Sequence, residues 1–295
     1  MSDAIGSFRL ALGLWRIART KPSRETLIEL MTASLEAGIV CFDLADVYGG
    51  YLAEAQFGDA FAASGIPRES IRIVTKCGVR GISAERPENR IKHYDNGGAY
   101  VTSCIDRSLR ELRTEYLDLL LLHRPDFLLD ADEVADALVA ATRAGKVRHF
   151  GLSNFSVSQH RLLASRVPLG LAVHQIELSV LHRAPFSDGT LDLCQETRCV
   201  PMAWSPLGGG GLFTAATDEV VRIRAALETV GRELGEATID QVALAWLLRH
   251  PAGIVPVLGS ANPQRVRTAA RAAALTLTRE QWYRIWEAAT GSPVP

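Results

Sequence analysis

A chain of 295 residues, 47% of them apolar, can bury a large core, which excludes a disordered protein. Lys and Arg number 32 against 33 Asp and Glu, and this net charge of -1 excludes bulk electrostatic attraction to nucleic acid or an anionic membrane. Five cysteines (Cys41, Cys77, Cys104, Cys194, Cys199), an odd number without a C-x-x-C pair, suggest neither a disulfide framework nor a zinc knuckle, and suit a reducing, cytoplasmic setting.

Arg9–Trp15 reads as a first strand, and Arg24–Ala37 has helical periodicity opened by Pro22-Ser23 and closed by Gly38. Ile39–Asp43 is an apolar run that suits a strand buried on both faces; it stops at a carboxylate. The following loop carries Asp46 and Tyr48, turns at Gly49-Gly50, and enters a helix over Leu52–Ala63. Ile71–Thr75 is the third strand, ending at Lys76, and Gly78–Gly98 is a long polar connector of the kind that marks a binding loop. A helix over Tyr100–Leu112 leads to the fourth strand, Leu117–Leu122, which ends at His123 and is broken by Arg124-Pro125. Asp132–Arg143 is helical. Val147–Gly151 is the fifth strand, ending at Ser153-Asn154, and Ser156–Ser165 a short helix. Leu171–Ile176 is the sixth strand, with Gln175 near its end, followed by a helix over Thr190–Thr197. The seventh strand, Val200–Trp204, runs into the glycine-rich loop Ser205–Leu212. Two helices, Asp218–Leu234 and Thr238–Arg249, precede the eighth strand, Ile254–Leu258, and its Gly259-Ser260 turn. Pro263–Ala274 and Thr278–Ala289 are closing helices. No signal peptide is read at the N-terminus, and the longest leucine run, Leu119–Leu122, is too short to span a bilayer.

Short Val-, Ile- and Leu-rich runs alternating with helices predict a parallel sheet, and eight such units predict an α/β fold of the closed (β/α)8 TIM-barrel type. No composition shift marks a linker, so residues 1–295 are expected to form a single barrel domain. The absence of G-x-G-x-x-G argues against an open dinucleotide-binding sheet.

Barrels place chemistry at the C-terminal ends of their strands, where this chain puts Asp43, Tyr48, Lys76 and His123. Singly, each has a plainer explanation: a loop cap, a packing aromatic, a solvated cation, a structural histidine. Together they form a device for protonating a carbonyl oxygen or deprotonating an alcohol. A tyrosine of reference pKa ~10 is a poor donor at neutral pH, and matching it to that task calls for lowering it by about 2–3 pH units. Lys76 is the candidate cation for this, kept protonated by Asp43, while His123 orients the carbonyl or shares the phenol's proton. No side chain is a hydride source, so a nicotinamide cofactor is implied. Ser153, Asn154 and Gln175 offer groups that bond a carboxamide or simply cap loops. Trp204 can stack on a planar ring or pack in the core. Ser205 to Gly211 expose N–H groups suited to phosphate, and Gly259-Ser260 with Arg265 in the following first turn is a further phosphate-friendly arrangement.

The runs F-D-L-A-D-V-Y-G-G, V-T-K-C-G, L-L-L-H-R-P-D, V-R-H-F-G-L-S-N-F, M-A-W-S-P-L-G-G-G and V-L-G-S-A-N-P-Q-R-V together resemble the aldo-keto reductase family, in its order and across essentially the whole chain. The form W-S-P-L-G-G-G is similar to that of bacterial oxidoreductases in the family. The resemblance implies an NADPH-dependent oxidoreductase that reduces aldehydes or ketones to alcohols, with Tyr48 as general acid and Lys76, Asp43 and His123 completing a tetrad. It also implies that Ser153, Asn154 and Gln175 bind the nicotinamide carboxamide, Trp204 stacks on the ring, and Ser205 and Leu207 hold the pyrophosphate. Ser260 and Arg265 then surround the adenosine 2′-phosphate, Gly259 stands where many members have Lys, and Trp15 lines the substrate pocket. Arg265 favours NADPH/NADP over NADH/NAD, because a guanidinium suits a phosphate better than a hydroxyl.

Three other readings are weighed. A cofactor-binding regulatory subunit with little turnover would share the pocket, and turnover separates the two. A Schiff-base lyase using Lys76 would need a neutral lysine, which Asp43 opposes. A metal-dependent hydrolase lacks an H-x-H or H-E-x-x-H pair among His93, His123, His149, His160, His174, His182 and His250, so no metal is expected. Expected partners are a small carbonyl substrate only, with no nucleic acid and no membrane, on a monomer. Substrate choice falls to the loops Gly78–Gly98, Pro125–Asp130, Leu181–Gly189 and Gly208–Thr217. Their basic residues (Arg80, Arg86, Arg90, Lys92, Arg183) and aromatics (Tyr94, Phe127, Phe186) suit an anionic or polar carbonyl compound, or serve as plain surface charge.

Overall fold

Each strand-like run pairs in parallel with its neighbours in the chain, and the last closes on the first. The computed structural model describes residues 8–16, 20 and 22–295; residues 1–7, on which the reading of no signal peptide rests, lie outside them. The barrel strands are β1 (Ala11–Gly13), β2 (Cys41–Asp43), β3 (Arg72–Cys77), β4 (Leu117–Leu122), β5 (Val147–Ser153), β6 (Val173–Glu177), β7 (Val200–Trp204) and β8 (Val255–Leu258). The packing helices are α1 (Arg24–Glu36), α2 (Ala53–Ser64), α3 (Gly98–Glu111), α4 (Ala131–Arg143), α5 (Val157–Ala164), α6 (Thr190–Thr197), α7 (Asp218–Glu233), α8 (Ile239–Leu248), α9 (Pro263–Ala270) and α10 (Arg279–Thr290). Among the described residues no helix is long and apolar enough to cross a membrane.

Strand periodicity explains where the chemistry goes. Successive side chains alternate faces, so a strand in a barrel gives every second residue to the interior. Ala11, Cys41, Val74, Leu119, Leu121, Val173, Met202, Val255 and Val257 pack together as one interior cluster. Phe42, Ile73, Leu120, Leu122 and Leu258 instead join the cluster between sheet and helices. Two residues beyond Cys41, Val74, Leu121, Val173, Met202 and Val257 stand Asp43, Lys76, His123, Gln175, Trp204 and Gly259. The interior stripe thus turns polar at one end of the barrel.

Helix starts follow local chemistry. Ser23, Asp130, Thr217 and Asn262 accept bonds from first-turn N–H groups, and Ser156–Gln159, Thr238–Gln241 and Thr278–Gln281 form capping boxes. Helices α8 and α10 are locked by Trp246 and Trp282, whose rings stack 4.9 Å apart and whose indole N–H groups each donate to the other's backbone carbonyl. The connector over Gly78–Gly98 departs from the irregular loop expected, because Val79–Arg80 and His93–Tyr94 pair as a small antiparallel ribbon.

One buried acid makes a stability prediction. Glu54 of α2 is fully buried and accepts from the Thr75 and Ser108 hydroxyls. Burial, and then the neighbouring Asp46 charge, push its carboxyl up to about 8. The folded state therefore keeps a proton that the unfolded chain releases near pH 4.5, so stability falls as pH rises from about 4.5 to about 8. Glu54→Gln should remove this slope: thermal melts are expected to show little gain for the variant near pH 5 and a higher Tm than the parent near pH 8.5. Parallel Tm curves for the two proteins would refute it.

Candidate active site

The site is built at the polar end of the interior stripe. Lys76 of β3 is fully buried, and its ammonium is satisfied on several sides. It donates to the Asp43 carboxylate at 2.8 Å and to the Leu44 carbonyl at 2.6 Å, and lies 3.3 Å from the Tyr48 hydroxyl. The second Asp43 oxygen accepts from Gln175 Nε2 at 2.9 Å, so the anion is held by residues from β3 and β6. The lysine loses stability by burial but gains more from Asp43 and Tyr48, which leaves its pKa above the usual lysine range and its charge intact.

Tyr48 reaches Lys76 because its loop is tied down at several points. Leu44 N–H donates to the Val74 carbonyl and Asp46 N–H to that of Lys76, which extends the β2–β3 pairing past the strand end. The chain then turns through Gly49 and Gly50, both at φ 66°, a left-handed conformation that glycine adopts without a Cβ penalty. Asp46 is buried 3.9 Å from Arg107 of α3, which places a charge contact behind the loop.

The electrostatics correct one expectation. Burial raises the Tyr48 phenol above its ordinary value; Lys76 pulls it down by less, and Asp43 opposes even that. Burial outweighs the pull of the ammonium, so Tyr48 rests as a protonated donor rather than a lowered one. His123 sits edge-on to the Tyr48 ring with centroids 5.7 Å apart. Burial, then the charges of Lys76, Arg124 and Lys92, hold its pKa well below the usual histidine range, so the imidazole is neutral. Its Nδ1 is buried with no hydrogen-bond partner among the described residues.

Beside these four lies a connected amide and indole group. Asn154, at φ 62°, donates its side-chain N–H to Ser153 Oγ at 2.7 Å and accepts from Trp204 Nε1 at 2.9 Å. Its backbone N–H donates to the Gln175 carbonyl. Trp204 is thereby fixed in orientation yet remains partly exposed. Ser205 (φ 50°) starts a turn in which Gly208, Gly209 and Gly210 all have positive φ, a backbone route that L side chains disfavour and that leaves N–H groups close to the surface. Leu207 is half-buried and anchors this turn in the core. Trp15 stands just past β1, 41% exposed, with Gly259 against its indole. Ser260 and Arg265 lie at the start of α9, where Asn262 accepts from Arg265 N–H and Ser260 Oγ accepts from Asn262 N–H.

Three cations here were not singled out by their strand positions. Arg16 donates to the Gly209 carbonyl at 3.2 Å, joining the end of β1 to the glycine turn. Arg124 and Lys92 line a cavity of about 200 Å³ with Val47, Val79, Gly81, Tyr94 and His123. The available signal was adjacency: Arg16 follows Trp15 and Arg124 follows His123. Lys92 came close to Arg124 only through the ribbon fold of its loop. No cluster of His, Cys, Asp and Glu able to hold a metal ion exists among the described residues.

A fully buried, charged lysine bonded to a carboxylate and a protonated phenol can deliver a proton and stabilise the phenolate that remains. The connected amides, indole face and glycine turn suit a planar amide-bearing ring linked to phosphate. Residues 9–290 match the model of the Aldo/keto reductase family. The chain is 46% identical to an uncharacterized oxidoreductase, YcsN, of Bacillus subtilis (strain 168), over 97% of this chain and 96% of that one. It is 44% identical to a 6-dehydroglucose reductase of Agrobacterium fabrum, over 100% of this chain and 98% of that one. Among solved structures, a thermostable aldo-keto reductase crystallised with the inhibitor epalrestat superposes with a TM-score of 0.79 at 26% identity, covering 95% of this chain and 94% of that one.

Proposed function

The chain belongs to the aldo/keto reductase family and is an oxidoreductase acting on carbonyls, and from that premise we propose an NADPH-dependent reductase of small aldehydes and ketones with Tyr48 as proton donor. The observation that carries this reading is the Lys76 ammonium, bonded to Asp43 and 3.3 Å from the Tyr48 hydroxyl. A bound dihydronicotinamide would supply the hydride. Ser153, Asn154 and Gln175 would hold its carboxamide, Trp204 its ring face, and Ser205, Leu207 and the glycine turn its pyrophosphate. Ser260 and Arg265 would receive the 2′-phosphate at the N-terminus of α9, with Gly259 leaving room beside Trp15. The relative named for 6-dehydroglucose makes sugar aldehydes one class to include among substrates.

The residues then divide the work. The neutral His123 imidazole donates a hydrogen bond that orients the carbonyl oxygen. Tyr48 gives its hydroxyl proton to that oxygen as negative charge develops there. Lys76, held by Asp43 and the Leu44 carbonyl, stabilises the phenolate until solvent returns a proton.

Titration with NADPH followed by tryptophan fluorescence, then addition of 4-nitrobenzaldehyde, tests the reading. Saturable binding, NADPH consumption and weaker binding of NADH are expected. Binding without turnover across a broad carbonyl panel would favour a regulatory cofactor-binding role instead, and no binding of either nicotinamide would sink both. The pH profile adds a second check. With Tyr48 raised and His123 lowered, neither titrates near neutrality, so kcat for reduction should stay flat from about pH 6 to about pH 9. The reverse oxidation needs the phenolate and should accelerate as pH rises. A reduction profile that breaks near pH 6.5 would assign the proton to His123.

A further inference from the structure

The cavity of about 200 Å³ beside His123 has an unbalanced lining: Arg124 and Lys92 are its two charged groups, and none of its other residues is acidic. Neither cation is in an ion pair among the described residues. The carboxylates nearest in sequence are committed elsewhere. Asp95 accepts from the Arg80 guanidinium at 3.3 Å and from Gly97 N–H at 3.1 Å. Asp126 accepts from Asn96 N–H and Leu128 N–H, both at 2.9 Å. Arg124 is half-buried and held in place: its carbonyl accepts from Asn96 Nδ2 at 2.9 Å, and its guanidinium lies 5.8 Å from the Trp204 ring centre. It thus spans the space between the tetrad histidine and the indole. Both cations also act on His123 electrostatically, which fits charges facing the cavity rather than bulk water.

A half-buried guanidinium with no carboxylate in ion-pair range among the described residues keeps its charge available to an anionic ligand. Its planar fork matches a carboxylate bidentately, and Lys92 adds a flexible second charge at the mouth. We propose that Arg124 and Lys92 are specificity-determining residues that select carbonyl compounds bearing a carboxylate close to the reacting carbon. The proposal rests on the reductase reading and narrows its substrate class to aldehyde and keto acids.

Matched pairs test it: succinate semialdehyde against butanal, and 3- and 4-carboxybenzaldehyde against their methyl esters. In the parent protein kcat/KM should favour the acid by about 10- to 100-fold for the best-placed pair, chiefly through KM. The preference should shrink as salt rises from about 20 mM to about 300 mM. It should collapse toward one in Arg124→Gln and shrink less in Lys92→Gln, whose exposed position makes misfolding no explanation. Turnover with no acid preference in any pair, or a preference unchanged in both variants and by salt, overturns the inference alone. A loss in Arg124→Gln matched by an equal rise in the NADPH Kd also overturns it, by giving the cation to the cofactor. No turnover of any aldehyde overturns the reductase reading and this inference with it.

Discussion

Tyr48→Phe is expected to lower kcat for aldehyde reduction by about 10³-fold or more, with the Kd for NADPH changed by less than about twofold. The substitution removes one oxygen and leaves the ring that sits edge-on to His123. It removes the hydroxyl facing Lys76 Nζ, the group from which the proposed proton leaves. The ammonium keeps Asp43 and the Leu44 carbonyl, so the fold around it should persist. Stopped-flow measurement of the single turnover and fluorescence titration of the cofactor separate chemistry from binding. Retention of more than about a tenth of the parental rate would move the donor role to His123 or water.

Lys76→Met should lose both activity and stability. The buried pair with Asp43 is broken from one side, and a carboxylate that is 3% exposed keeps only Gln175 as a side-chain partner among the described residues. Breaking a buried ion pair in this way costs about 3–5 kcal/mol, which for a chain of this size lowers Tm by roughly 5–10 °C. The phenolate left by Tyr48 would also lose its nearest cation, and kcat should fall by about 10²- to 10³-fold. Lys76→Arg should not rescue, because a planar guanidinium cannot place one donor on each of Asp43, the Leu44 carbonyl and Tyr48 in a site that excludes water. Scanning calorimetry and steady-state assays on the folded fraction measure the two losses independently. A stable, inactive Lys76→Met would confine the residue to catalysis; a fully active one would remove it from the site.

The barrel was legible because its local signals agree. Short apolar runs alternate with helical patterns, and seven of the ten helices open on Ser, Thr, Asp or Asn. Their places at the ends of strand-like runs also made Asp43, Lys76, His123 and Gln175 candidates, and in the barrel each lies two residues beyond an interior position. These features depend on neighbours within a few residues, which is the range over which a sequence can be read directly.

What escaped depends on groups brought together from distant parts of the chain. The direction of the Tyr48 shift is set by the balance of burial against a lysine whose charge Asp43 already engages, and no spacing encodes that balance. Gln175 was read as a cofactor amide, and only the closed barrel shows its Nε2 on Asp43, 132 residues away. The ribbon within Gly78–Gly98 gave structure to a connector that looks irregular, and its folding carries Lys92 to the same cavity as Arg124. The sequence by itself determined the barrel and the identity of the chemical groups, because both follow from short-range periodicity and residue type. Only the tertiary structure decided their protonation and left Arg124 and Lys92 without an ion pair among the described residues, because electrostatic energies inside a protein are set by distances and burial across the whole fold.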